Sequence, residues 1–197
     1  METLTAFAET LRGLIVANPV AQAIGLVAMI ACCWSYQGRT PRIIVFRQTI
    51  AAMLWTAHML LLGAWAGGLI NFIGGIRNIV YLRVPGGESR TLRSPWPWVF
   101  LLLCVGGAAW AGLGQGEGAR CLLSMVAQGI ACFIYWNAPA RTIRALCILA
   151  SALWLVYDVL AGSIPGTICE IINQISLYVA VWRYRGGRDR SPKDSAA

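Results

Sequence analysis

The residues most suited to binding chemistry are polar side chains placed inside long apolar stretches. Glu170, Asn173 and Gln174 stand at i, i+3 and i+4 within residues 164–183, so they share one face of a predicted helix. An ionisable group inside lipid is costly and usually faces a cavity or a partner. We expect Glu170 and Asn173 to contact a polar solute, with Glu170 also a candidate for proton coupling. The alternative is a structural hydrogen bond or ion pair, with His58 as the partner of Glu170.

A second polar face is predicted in the apolar stretch 64–83. Asn71 and Asn78 lie on the same side of this helix and are expected to contact the same solute. The commoner use of such residues is an interhelical hydrogen bond, and that alternative stays open. Arg77 would either coordinate an anion or extend its head group to the cytoplasmic interface. His58 can titrate near neutral pH, so it would either contact solute and bind a proton or pack near a helix end.

An internal repeat relates the two polar faces. Two apolar hairpins of the sequence are related by an offset of 99 positions (154 − 55). Three pairs of identical residues at this offset are Trp55 and Trp154, Gly63 and Gly162, and Gly67 and Gly166. Asn71 and Glu170 are equivalent under this offset, so we expect them at the same depth. Trp55 and Trp154 are expected to line a common pocket, whereas the other tryptophans would anchor the helices at the membrane interfaces. Asp158 would lie near the outer interface in contact with water.

Composition places the chain among polytopic membrane proteins. Of its 197 residues, 58% are hydrophobic and 12% are charged, against about a quarter charged in soluble proteins. The net charge of +8 comes from arginines in short loops and in the tail, where orientation in a membrane explains them, so no nucleic-acid partner is expected. The 7 cysteines form no CxxC pair, and neither a metal nor a cofactor is expected.

Motifs that would indicate an enzyme are missing from the sequence. It contains no nucleophile elbow, P-loop, HExxH or dinucleotide fingerprint, so we do not expect catalysis. An integral-membrane enzyme would need a clustered acid, base or metal set, and His58, Asp158 and Glu170 are the residues that could supply it.

The hydropathy pattern predicts seven membrane-spanning helices. They cover residues 19–36, 43–62, 64–83, 95–113, 120–136, 140–161 and 164–183. The loops after the first, third and fifth spans and the C-terminal tail hold nearly all of the arginines, whereas the alternate loops hold almost none. Because basic loops stay in the cytoplasm, the N-terminus is predicted outside and the C-terminus inside a bacterial inner membrane.

The repeat divides this all-α chain into two three-helix units and a linker. The predicted units are an interfacial N-terminal segment (1–17), a first triple-helix bundle (18–83), a linker with the fourth span (84–118), a second triple-helix bundle (119–184) and a basic cytoplasmic tail (185–197). Since four spans separate equivalent helices, the two bundles point the same way in a parallel 3+1+3 arrangement. A substrate site is then expected at the bundle interface near the middle of the membrane.

The repeated unit resembles the SWEET and PQ-loop transporter architecture. In that pattern an aromatic residue precedes a glycine turn and an Asn-x-x-Gly helix follows, similar to Trp55, Gly63 and residues 71–74. A linker span between the two three-helix units is also a feature of that architecture. The Pro-Gln pair that names the PQ-loop is missing, and residues 35–37 and 40–42 stand where it is expected. The helix-hinge mechanism of that family is therefore not carried over.

The chain more closely resembles the YgjV-type family of bacterial inner membrane proteins, over most of residues 20–184. The similar features are an aromatic-rich first span, His58 five positions before Gly63, Asn71 followed by Ile76 and Arg77, and the AGSIPGT segment at 161–167 followed by Glu170. This resemblance implies a fold and a bacterial inner membrane, but no substrate.

Two functions from different classes follow from these features. The first is a carrier that moves a small polar solute by rocking one three-helix unit against the other. The second is a non-transporting scaffold or accessory subunit, whose polar residues hold helices together and whose basic tail binds anionic lipid or a soluble partner. In both, the lipid bilayer is a partner. An oligomer is possible but not required, because one chain already holds both units.

Overall fold

The fold is all-α, as predicted. The computed structural model describes residues 9, 12–35, 41–84, 91, 93–137 and 140–183, in which no strand occurs. After a helical segment over residues 12–17, the helices are α1 (Pro19–Ser35), α2 (Pro41–Leu61), α3 (Trp65–Arg83), α4 (Trp96–Ala109), α5 (Cys121–Asn137), α6 (Ala140–Leu160) and α7 (Ile164–Arg183). A π-helical turn, Trp110–Gly114, continues α4, and a 3₁₀ turn, Gly118–Arg120, leads into α5. The basic tail and the start of the N-terminal segment lie outside the described residues.

Proline marks the start of several helices. Pro19 and Pro41 are the first residues of α1 and α2, Pro97 is the second residue of α4, and Pro165 is the second residue of α7. Proline suits the first turn because its fixed φ is already helical and its missing N–H would have no partner there. These starts therefore follow from local sequence, independently of how the helices pack.

Two helical stretches meet the length and hydropathy expected of a membrane crossing. They are Trp96–Gly114 and Gly118–Trp136, while Pro19–Ser35 and Ala145–Leu160 are apolar but shorter. The remaining helices contain polar and charged residues, such as Arg77 in α3, that lower their average hydropathy. The bounds of the helices follow the predicted segments closely, but seven spans in a 3+1+3 arrangement stay a prediction.

Helix packing groups the chain around two sets of three. Helices α1, α2 and α3 pack in sequence, as do α5, α6 and α7, and α4 contacts both α3 and α5. The two sets touch through α3 with α5 and through α1 with α7. Under the repeat offset α1 corresponds to α5 and α3 to α7, so these two contacts are equivalent to each other. We call α1–α3 the first triplet and α5–α7 the second triplet.

The same turn closes both hairpins. Gly63, after α2, has φ of 71°, and Gly162, after α6, has φ of 69°, which is the left-handed region that glycine enters without a Cβ clash. Each glycine ends its helix in a Schellman motif. The hydrogen bonds of the two motifs are Gly63 N to Leu60 O and Ala64 N to Met59 O in one, and Gly162 N to Val159 O and Ser163 N to Asp158 O in the other. The sequence repeat is therefore also a repeat of backbone structure.

Large apolar side chains cover much of the outer surface of the described helices. Leu102 is 69% exposed, Leu113 is 91% exposed and Ile175 is 60% exposed, with many others above a third. Soluble monomers rarely expose such extensive apolar area. This surface is suited to contact with lipid.

Candidate functional site

A cavity of about 660 Å³ lies between the two triplets. Its walls come from all three helices of each triplet, and this volume is in the range of cavities that bind small molecules. Several positions related by the repeat face it from both sides, including Asn71 with Glu170 and Ala52 with Ser151.

Seven of the residues predicted for the site line this cavity. They are Trp55, Asn71, Arg77, Asn78, Trp154, Glu170 and Asn173. They come from α2, α3, α6 and α7, so distant parts of the chain contribute to one site. His58 does not line the cavity.

Two neighbours hold the carboxylate of Glu170. The Ser151 hydroxyl of α6 donates to Oε2, and Nδ2 of Asn173 lies 3.4 Å from Oε1, one turn along α7. His58 is not its partner. Ser151 is a site residue that was not predicted from sequence, because Ala52, its equivalent under the repeat, is seen to line the cavity only in the structure.

Arg77 is buried inside the protein, with only 3% of its surface exposed. Its Nη2 donates to Oδ1 of Asn78 at 2.9 Å, its Nε lies 3.3 Å from the same oxygen, and its Nη1 lies 3.9 Å from Sγ of Cys132. The guanidinium carbon is 5.2 Å from the centre of the Tyr135 ring. These contacts direct the cation into the protein, so the alternative of extending to the interface does not describe this side chain.

The amide side chains divide between cavity and helix packing. Asn71 donates within α3 to the carbonyl of Gly67 at 2.9 Å and still faces the cavity. Gln174 donates to the Ile148 carbonyl of α6 at 2.9 Å and does not line the cavity, so it makes an interhelical hydrogen bond. Gln128 of α5, missed by the sequence analysis, lines the cavity and lies 3.3 Å from a backbone carbonyl of α3.

His58 is fully buried and bridges the two triplets. Its Nδ1 lies 2.6 Å from the Ala21 carbonyl, so Nδ1 carries the proton and donates. Its Nε2 is 2.7 Å from the Ser163 hydroxyl, which in turn accepts from Gly166 N at 3.0 Å. This arrangement satisfies a neutral imidazole completely and explains why His58 is held away from the cavity.

Asp158 is buried rather than solvated, so its predicted contact with water is wrong. Only 3% of its surface is exposed, because the turn after α6 folds back over it and Gly166 packs directly against its carboxyl group. Its Oδ1 has no hydrogen-bond partner among the described residues. Nowhere among the residues that the structure describes is a group of three His, Cys, Asp or Glu residues placed to hold a metal.

A buried carboxylate in the loop between α4 and α5 was also missed. The side chain of Glu117 is 0% exposed and accepts hydrogen bonds from Ala66 N at 2.7 Å and from the Tyr157 hydroxyl at 3.1 Å. Arg120 Nε lies 3.3 Å away as an ion-pair partner. Because the N-terminus of a helix favours negative charge, Glu117 stabilises the start of α3.

Comparisons with known proteins agree on one family. The family model described as Imp-YgjV, a bacterial inner membrane protein, matches residues 19–188. The inner membrane protein YgjV of Escherichia coli (strain K12) is 22% identical over 168 residues, which cover 83% of this chain and 85% of that protein. No solved structure matches the chain. The similarity to SWEET and PQ-loop transporters stays a prediction. The residues shared along most of its length establish that the chain belongs to the YgjV family of bacterial inner membrane proteins.

Proposed function

We propose that the protein is a carrier for a small polar solute in the bacterial inner membrane. The observation that supports it most directly is the cavity of about 660 Å³ between the two triplets, lined by polar residues from both. Parallel repeats in transporters bind their substrates at such an interface. Membrane proteins that only need helix cohesion do not require a carboxylate and a guanidinium in the same cavity.

In this proposal the chain spans the membrane seven times, as two parallel triplets joined by α4. The carrier rocks one triplet against the other about the contacts of α3 with α5 and of α1 with α7. Asn71 and Glu170 contact the solute from equivalent positions of the two triplets, and Asn173 and Asn78 add hydrogen bonds. Glu170 is the group proposed to couple a proton to transport, and the N-terminus faces outward.

The proposal predicts a solute that stabilises the purified protein through Glu170 and Asn71. A thermal-shift screen in detergent at two pH values, against sugars, amino acids, nucleosides and small organic acids, should identify it. The double variant Glu170→Gln, Asn71→Ala should lose this stabilisation, because both cavity contacts are removed. Gln174→Ala is the matched control: it removes an amide on the same helix that packs outside the cavity, so it should lower the melting temperature and keep the response to solute.

If the double variant binds solute like wild type, this cavity is not the binding site. A protein that responds to no solute at either pH, and whose Glu170→Gln variant is only less stable, would instead match the scaffold function, since there the polar residues serve helix packing alone.

A further inference from the structure

We infer that the solute of this cavity is a zwitterion, bound through its anionic group at Arg77 and through its cationic group at Glu170. The inference rests on the proposed function and names the class of solute. It starts from two side chains of opposite charge that line the same cavity without pairing. The ion pair found among the described residues is the one between Arg120 and Glu117, outside this cavity.

Arg77 offers a binding site for an anionic group. Its hydrogen-bond acceptors are the Asn78 amide oxygen and the Cys132 sulfur, and no carboxylate of the described residues pairs with it. A guanidinium has five N–H donors, so these contacts leave donors free for a carboxylate. A buried charge without a counter-charge is costly, and a bound anionic group would supply it.

Glu170 offers the complementary site for a cationic group. Ser151 and Asn173 donate to its two oxygens, and a carboxylate has about four lone-pair positions, so acceptor capacity remains. Trp154 stands three residues after Ser151, on the same face of α6, and also lines the cavity. The face of an indole ring attracts an ammonium group, so Trp154 is a second residue of this cavity that favours a cation.

Arg77 and Glu170 stand at different depths along the cavity. Glu170 is equivalent to Asn71 under the repeat, and Arg77 lies six residues further along α3, which is about 9 Å along the helix axis at a rise of about 1.5 Å per residue. Charge-assisted hydrogen bonds of about 2.8 Å at each end reach across part of this distance. An axial offset of this size is within the reach of a small zwitterion whose two charged groups bind at the two ends.

Solutes of other charge fit less well. A neutral sugar would leave both Arg77 and Glu170 without a counter-charge, and a simple anion would leave Glu170 without one. A zwitterion satisfies both and adds no net charge to the cavity, so the loaded cavity holds balanced charges in a low-dielectric membrane.

Isothermal titration of the full-length protein in detergent tests this inference. The probes are 5-aminopentanoate, pentanoate and pentylamine, which share a chain and differ in charge, together with α-amino acids, dipeptides and a hexose. We expect the best zwitterion to bind at least tenfold more tightly than either single-charge analogue. Arg77→Gln should abolish the preference over the amine, and Glu170→Gln should abolish the preference over the acid.

Two further variants keep the result interpretable. Arg77→Lys retains the positive charge and should retain the preference, even where Arg77→Gln folds poorly. Arg47→Gln removes an arginine that lies on the Trp34 ring outside the cavity and should bind like wild type. A hexose or a singly charged solute that binds as tightly as every zwitterion would contradict the inference of a zwitterionic solute. The proposed carrier function would still stand. Failure of all solutes to bind would overturn both.

Discussion

At the scale of single residues, His58 and Tyr157 have related tasks. They are equivalent under the offset of 99, and each is fully buried and reaches from its own triplet to the other. His58 binds the Ser163 hydroxyl, while the Tyr157 hydroxyl accepts from Gly67 N at 2.7 Å. His58 and Tyr157 thus differ in residue type, yet each makes a hydrogen bond to the opposite triplet. This favours a structural role for His58 over the predicted contact with solute.

The substitution His58→Ala should therefore reduce stability without changing solute preference. It leaves the Ala21 carbonyl and the Ser163 hydroxyl without the imidazole, and a buried polar group that loses its partner costs about 1–3 kcal/mol. Thermal unfolding in detergent should show a lower melting temperature. Tyr178→Phe, at an exposed position, is the control and should unfold like wild type. A His58→Ala protein as stable as wild type would contradict the structural role.

At the scale of elements, the two helical hairpins depend on glycines in left-handed conformation. A Cβ at Gly63 would meet nothing within 4 Å, so any cost of substitution there is backbone strain alone. At Gly162 the added Cβ would also come within 3.1 Å of Leu14. The two equivalent turns therefore separate the conformational cost from the cost of crowding.

We expect Gly63→Ala to destabilise the protein by about 1–2 kcal/mol, the cost of a left-handed conformation for a residue with a Cβ. Gly162→Ala should cost more, because crowding adds to the strain. Gly106→Ala is the matched control, since Gly106 is inside α4 and its Cβ would also meet nothing within 4 Å. Alanine is the better helix former, so this control should be neutral or stabilising in thermal unfolding. Equal losses at Gly63 and Gly106 would contradict the role of the turn.

At the scale of the whole molecule, the arrangement of basic loops predicts the orientation in the membrane. The apolar surface of the described helices suits lipid, and the family belongs to the bacterial inner membrane. The loop between α4 and α5 and the turns at Gly63 and Gly162 are predicted outside, while the connections rich in arginine are predicted in the cytoplasm.

Reporter fusions can test this orientation. Green fluorescent protein fused after residue 197 should fluoresce, because the C-terminus is predicted in the cytoplasm, and alkaline phosphatase at the same place should be inactive. Alkaline phosphatase fused after residue 116, beyond the fourth predicted span, should be active because it is exported. Active phosphatase at the C-terminus would contradict an odd number of spans with the N-terminus outside.

Some features of the site could be read from sequence because they depend on local spacing. Glu170 with Asn173, and Asn71 with Asn78, share helix faces by periodicity, and the repeat relates one pair to the other. The cavity between the triplets brings these residues together. Arg77 could be selected as a buried cation, but its orientation could not, because it depends on Asn78 and on side chains of a second helix.

The sequence by itself determined the helices, their glycine turns and the internal repeat, because apolar length, proline starts and left-handed glycines act within a few residues. The tertiary structure alone decided that His58 bridges the triplets, that Asp158 is covered, and that Ser151 and Gln128 belong to the cavity. Those outcomes depend on which helices pack side by side, and contacts over a hundred residues apart, such as His58 with Ser163, leave no periodic trace in the chain.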